Sequence, residues 1–206
     1  MNTESENLTN RDNQQERSRP SVGKSPETTR QAPKKKLTKA YLLGLLHDAT
    51  ETKYTFRIAQ NNREFTKTIQ NGILALGYKA WVYKEGKNRN VFVTEFSKKL
   101  LDEFVIKTLE DKKDYIRGYF DAEGGIAKNA NVRFYLYFAQ KNLNDLREVK
   151  RYLSDINIQC GKTHNPSKRV DPHYWRFYIG ISSHKHFAKE IGSLHPVKSE
   201  ILRMKI

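Results

Sequence analysis

A chain of 206 residues is long enough for one compact domain, or two small ones, with a substantial core. It carries 38 Lys and Arg against 23 Asp and Glu, a formal net charge of +15 and a pI of about 9.8, so its default partner is a polyanion. A mean hydropathy of −0.81 with no apolar run of about 20 residues excludes a spanning helix, and the single cysteine, Cys160, excludes an intrachain disulfide framework.

Residues 1–36 offer only Met1, Leu8, Val22 and Ala32 to a core, a composition that predicts a disordered polar tail. The first residues form no apolar stretch of signal-peptide type and include acids that argue against a transit peptide, so a soluble, intracellular protein of cytoplasm or nucleoid is expected, with no membrane partner. The tail holds eight basic and five acidic residues, which leaves most of the positive charge on residues 37–206. Its closing Lys34-Lys35-Lys36 reads as a solubilising linker, with a phosphate-touching arm as the alternative.

From Leu37 the chain reads as two similar halves, 37–113 and 114–206. The first opens with Tyr41-Leu-Leu-Gly-Leu-Leu-His-Asp-Ala-Thr50 and the second with Tyr115-Ile-Arg-Gly-Tyr-Phe-Asp-Ala-Glu-Gly124, so that Gly44 and Gly118 stand 74 residues apart. Each opening predicts a helix. An alternating strand closing on Ala-Gln follows, at 54–60 and 132–140, then a helix at 62–76 before Gly77 and at 143–156 before Asn157. Two further strands flank a basic loop in each half, Lys84–Asn90 and Lys162–His173, and a short amphipathic helix closes the half at 98–104 and 184–191. Period-2 alternation turns Val132, Phe134, Leu136 and Phe138 inward with Trp175, Phe177, Ile179 and Ile181; it turns Arg133, Tyr135, Tyr137, Tyr174, Arg176 and Tyr178 outward. On a chain of this charge those outward Arg and Tyr residues suggest a binding face.

On the second opening helix Gly118 and Ala122 share one face, and two small residues at that spacing allow a partner helix to approach closely. Glu123 then falls at the helix C-terminus before Gly124-Gly125, where the helix dipole disfavours a carboxylate and asks for a compensating cation.

Together these residues resemble the LAGLIDADG homing endonucleases, in the form with two motifs on one chain. Gly118-Tyr-Phe-Asp-Ala-Glu-Gly124 matches the motif core closely and Tyr41–Thr50 loosely; the resemblance runs from about Leu37 to Ile206 and includes Leu194-His-Pro-Val-Lys198. It implies an α+β fold of two pseudo-symmetric αββαββα-like halves, with the motif helices packed at the centre and two antiparallel sheets forming a saddle for double-stranded DNA. It further implies a monomer that hydrolyses phosphodiester bonds at a specific site with divalent metal, Mg²⁺, in the service of intron homing. By the same resemblance Glu123 falls on the metal-binding acid, Gln60 and Gln140 on positions that order water, and Lys198 on a basic residue supporting the reaction. Lys107 or Lys112 is its candidate first-half counterpart. The DNA-facing positions are Arg57, Lys84, Lys87 and Arg89 in the first half. In the second half they are Arg133, Tyr135, Tyr137, Lys168, Arg169, Arg176 and Tyr178.

The first motif departs from the pattern. Aligning Gly44 with Gly118 sets Ala49 opposite Glu123, leaving Asp48 one residue early, about 100° around a helix, and Glu51 two residues late. Asp48 is the preferred substitute acid if the helix unwinds in its last turn; a cap or hydrogen bond at the helix interface is its alternative role. The segment from Ala49 to Gln60 is also six residues shorter than Glu123 to Gln140, which predicts a smaller first sheet. A catalytically impaired descendant that binds DNA or structured intron RNA, as a regulator or intron maturase, is therefore the alternative function. His184 and His186, and Cys160 and His164, lack the further ligands of a zinc site. His47 reads as a structural group and Trp81 and Trp175 as core.

Overall fold

The computed structural model describes residues 35–129 and 131–206; the expectation of a disordered tail lies for the most part outside them. The first half contains helix α1 (Lys39–Leu45), strands β1 (Ala49–Glu51) and β2 (Thr55–Gln60), helix α2 (Arg63–Ala75), and strands β3 (Ala80–Lys84) and β4 (Phe92–Ser97). The second contains α3 (Leu109–Glu123), β5 (Gly124–Ile126), β6 (Leu136–Gln140), α4 (Leu143–Asp155), β7 (Trp175–Tyr178), α5 (His184–Glu190) and α6 (Pro196–Lys205). The fold is α+β. The first sheet has order β1-β2-β4-β3 and the second β5-β6-β7, with all pairs antiparallel.

Matching local chemistry builds the matching halves. After each Ala-Gln an asparagine caps the next helix: Asn62 accepts from Phe65 N at 2.9 Å and Asn142 from Asn144 N at 3.0 Å. Apolar residues at helical spacing, Phe65, Ile69 and Ile73 on α2 and Leu146, Val149 and Leu153 on α4, then turn into separate cores. Burying each such side chain contributes about 1.5–3 kcal/mol. The halves meet where α1 crosses α3. A Cβ on Gly44 would stand 2.0 Å from Tyr115 O, and one on Gly118 would stand 1.9 Å from Tyr41 O. Residues 41 and 115 occupy the same place in their motifs, so each glycine receives the other half's backbone in a reciprocal, two-fold contact.

Several expectations are corrected. The first opening is α-helical only to Leu45; Leu46–Asp48 tighten into a 3-10 turn and Ala49 begins a strand. The first sheet is the larger, four strands against three, because the shorter segment removes residues from the β1–β2 turn (52–54, against 127–135) and leaves the strands. In the second half, the counterpart of β3 is reduced to the isolated bridges Cys160–Ile179 and His164–Arg176, in a loop interrupted by Pro166 and Pro172. The 132–140 strand starts only at Leu136. Ile181, expected inward, enters a 3-10 turn and is 61% exposed, and the closing helix of the first half is a single 3-10 turn, Lys98–Leu100. Helix α6 adds an element beyond the repeated pattern, and Pro196 in its first turn is its helix-start signal. Among the described residues no helix is long and apolar enough to cross a membrane.

Candidate functional site

The ends of the two motif helices are equivalent in a way the glycine alignment hides. Glu123 is the last residue of α3 and Gly124 opens β5; Asp48 is the last residue of the 3-10 turn and Ala49 opens β1. Gly124 pairs with Phe138, two residues before Gln140, and Ala49 pairs with Ile58, two residues before Gln60. The ladder register therefore sets Asp48 opposite Glu123 and Ala49 opposite Gly124, so that alanine does not occupy the acid's place. A 3-10 turn has fewer residues per turn than an α-helix, which absorbs the missing position.

The charge of Asp48 reaches Glu123. Partial burial, the charge of Asp48 and only then its other neighbours act on Glu123, and its pKa is raised despite opposing contributions from Gln140 and Lys198. Asp48 is also raised, by the surfaces packed around its carboxyl, although its side chain remains exposed; Lys198 opposes that shift. Gln140 donates from Nε2 to Glu123 Oε1 at 2.7 Å, and its own Oε1 accepts from Lys141 N at 2.7 Å, which fixes the amide's orientation. In the first half Asp48, Gln60 and Arg89 line one open cavity of about 370 Å³ with Glu85, Asn61 and Val91. Glu51, the late acid, points elsewhere and pairs with Lys98.

Lys198 is largely buried behind the acids. Its ammonium donates to Phe120 O at 2.6 Å, Gly124 O at 2.8 Å and Asp121 O at 2.9 Å, and so caps the carbonyl end of α3. Burial lowers its pKa to about 8. It is the cation that the acid at a helix C-terminus calls for. No such lysine serves the first half among the described residues: Lys112 pairs with Asp155, and Lys107 lies before α3, where its N–H reaches Asp111. Asp121, which the sequence reading left without a role, is buried and accepts from Tyr41 Oη at 2.7 Å, Leu194 N at 2.8 Å, His195 N at 3.2 Å and the Ser193 hydroxyl. It ties both motif helices to the segment that carries Lys198.

The outer faces of the two sheets differ. On the first, Arg57 donates to Tyr83 Oη at 3.0 Å and stands 3.5 Å from Glu85 and 3.9 Å from Glu95. Trp81, expected in the core, is 52% exposed on β3, across the ladder from Glu95, while Trp175 is half-buried against the second core. Lys84, Lys87 and Arg89 are exposed around the β3–β4 turn. On the second face Tyr137, Tyr174 and Tyr178 surround Arg176, and Tyr135 stands beside Tyr137 and Tyr178. Gly125 makes room for the Tyr137 ring, since a Cβ there would lie 1.9 Å from the ring carbon Cζ. Arg133, Lys168 and Arg169 are exposed in the adjoining loops.

The remaining groups are structural. His184 and His186 bond to the carbonyls of Ile179 and Ile156 at 3.2 and 2.9 Å. His47 bonds Tyr115 Oη at 2.7 Å and lies 3.3 Å from Asp145. Lys35, counted in the sequence as tail, donates to the carbonyls of Ile191 at 2.7 Å and Lys189 at 2.8 Å; burial lowers its pKa to about 8.

Residues 110–192 match the family model of the LAGLIDADG-like domain. A comparison with curated proteins gave no match. Among solved structures, I-DmoI in complex with DNA and Mn is similar at 22% identity over 76% of this chain and 97% of that one, with a TM-score of 0.57. I-DmoI in complex with DNA and Ca is 21% identical over 81% and 96%, with a TM-score of 0.60. The N-terminal LAGLIDADG domain of DUF199/WhiA is 15% identical over 81% and 85%, with a TM-score of 0.59. Residues 110–192 thus form a LAGLIDADG-like domain by the family model, and both halves share the fold of these structures.

Proposed function

We propose that the chain is a metal-dependent endonuclease acting on a specific site in double-stranded DNA. The observation that carries this is the ladder equivalence of Asp48 and Glu123, each the residue before the first strand of its sheet and two-fold related about the Gly44–Gly118 crossing. Carboxylate oxygens are suited to hard cations, and Mg²⁺ is commonly held by one or two carboxylates together with substrate phosphate and water. Asp48 and Glu123 would hold it; when bound, such a cation neutralises developing charge on the phosphate and makes water a stronger nucleophile. Gln140 keeps Glu123 aimed, Gln60 faces the Asp48 cavity where water can be ordered, and Lys198 acts as a positioning residue that holds the α3 carbonyl end. The likeness to I-DmoI structures solved with DNA and divalent metal supports DNA and metal as partners.

Among the described residues only the second half has a hydrogen-bonded motif acid and a capping lysine, so the two strands should be cut at unequal rates. Sites selected from random duplexes with Ca²⁺, then placed in supercoiled plasmid with Mg²⁺, test both statements. Nicked circles preceding linear DNA are expected. Linear product at the earliest times opposes unequal cutting, and no cleavage opposes the nuclease. The second reading, a non-cleaving DNA- or RNA-binding protein, is favoured by the likeness to the WhiA domain and by the full occupation of the Lys198 ammonium.

A further inference from the structure

The second sheet presents one arginine whose geometry is already set. Arg176 lies on β7 with Ala139 opposite it on β6 and His164 bridged on its other side, so it occupies the interior of the face. Its guanidinium carbon rests 4.4 Å from the centroid of Tyr137. One terminal nitrogen, Nη2, donates to Tyr174 Oη at 3.1 Å and the other, Nη1, to Tyr178 Oη at 3.3 Å. Nε is buried without a partner. Of the five N–H donors of a guanidinium, the Nε–H is buried and the two tyrosines take one on each terminal nitrogen. One donor on each of Nη1 and Nη2 is left, as a two-pronged fork requires, on a guanidinium seated over the Tyr137 ring. Ion pairs to carboxylates, which occupy Arg57 on the first sheet, are absent at Arg176 among the described residues.

A free fork of this kind matches two adjacent acceptors in one plane, either a phosphate or the O6 and N7 of guanine in the major groove. Phosphates line the rims of a groove, whereas the interior of a docked sheet faces its floor, where the base edges lie. We infer that Arg176 reads a single guanine of the target, its fork fixed by Tyr137, Tyr174 and Tyr178. This rests on the DNA-binding reading above and adds the base to it. A lysine at this position would carry the charge without the fork.

The test uses the full chain and duplexes selected from a random library with Ca²⁺. The wild type is expected to select a guanine at one position whose replacement by adenine, or by 7-deazaguanine, weakens binding about tenfold. Arg176→Lys should still bind DNA but show no preference there. Retention of the guanine preference by Arg176→Lys overturns the inference. So does the behaviour of a phosphate contact, in which Arg176→Gln loses affinity evenly over all sequences with the salt slope reduced by about one while Arg176→Lys keeps both. Should the variant fail to fold, 7-deazaguanine scanned through the selected site against wild-type protein decides, and tolerance at every guanine overturns the assignment. If the wild type retains no duplex at all, the DNA-binding reading itself fails and the guanine falls with it.

Discussion

The two sheets follow the same pattern of residues yet partner their outward arginines differently. Arg57 on the first sheet is met by Glu85 and Glu95, and Glu95 also accepts from Thr55 Oγ1 and Tyr83 Oη, each at 2.7 Å. These hydrogen bonds hold the Glu95 carboxyl below its ordinary range, so it stays charged at neutral pH. Among the described residues Arg176 on the second sheet is met by hydroxyls and rings alone. The same division runs through the helix ends, where Glu123 has Gln140 and Lys198 while Asp48 is bordered by an open cavity. The second half thus carries the more preorganised set of groups, and the first is the larger sheet with the looser chemistry.

The largest expected effect is on the acids. Glu123→Gln should lower cleavage of the selected plasmid site about a thousandfold, more than the 10- to 100-fold typical of groups outside the metal's direct ligands. Asp48→Asn should lower it about a hundredfold, and calcium titration into the DNA-bound protein should lose heat with both. Equal losses would erase the difference between the halves; no loss with Asp48→Asn would remove that residue from the site.

Next come the parts the halves share. Gly44→Ala and Gly118→Ala should each cost about 3 kcal/mol in denaturant unfolding, because either Cβ enters the facing backbone. A marked inequality would break the two-fold reading of the crossing. Lys198→Met should cost about 1–3 kcal/mol for the carbonyls it leaves unpaired.

Smaller is the effect of acid removal on the first sheet. Glu95→Gln should tighten duplex binding about twofold to fivefold and steepen its salt dependence, since Arg57 is released toward phosphate. Unchanged binding in filter or fluorescence assays would mean that the first face does not meet DNA.

The smallest concerns pH. The pKa of Glu123 is higher folded than unfolded, so its charged form opposes folding once the pH exceeds its unfolded value of about 4.3, and protonation relieves this as pH falls through the folded value. Metal-free Glu123→Gln should therefore melt above wild type at pH 7 and converge with it below about pH 4. A lower melting temperature at pH 7 would show that the carboxylate is stabilised by its surroundings.

Much of this arrangement was legible in residue order. The 74-residue spacing of Gly44 and Gly118, the paired Ala-Gln strand ends and the alternation of Tyr137, Arg176 and Tyr178 depend on periods of two and 3.6 that local geometry enforces. The place of Asp48 was legible only as a conditional, the substitute acid if the helix unwinds, because a 3-10 turn and an α-turn are not distinguished by the residues Leu46, His47 and Asp48 themselves. Nor was the exposure of Trp81, which is an edge-strand residue only because β3 lies outermost in its sheet.

Sequence by itself therefore determined the resemblance of the second half, the two-fold repeat and the basic character, since these reside in residue types and spacings. Only the tertiary structure decided that Asp48 and not Ala49 stands opposite Glu123, that Lys198 caps carbonyls, and that Arg57 is neutralised while Arg176 is open. Each of those depends on which backbone or side chain from a distant part of the chain arrives beside the residue. Long-range packing sets that meeting, and no local period records it.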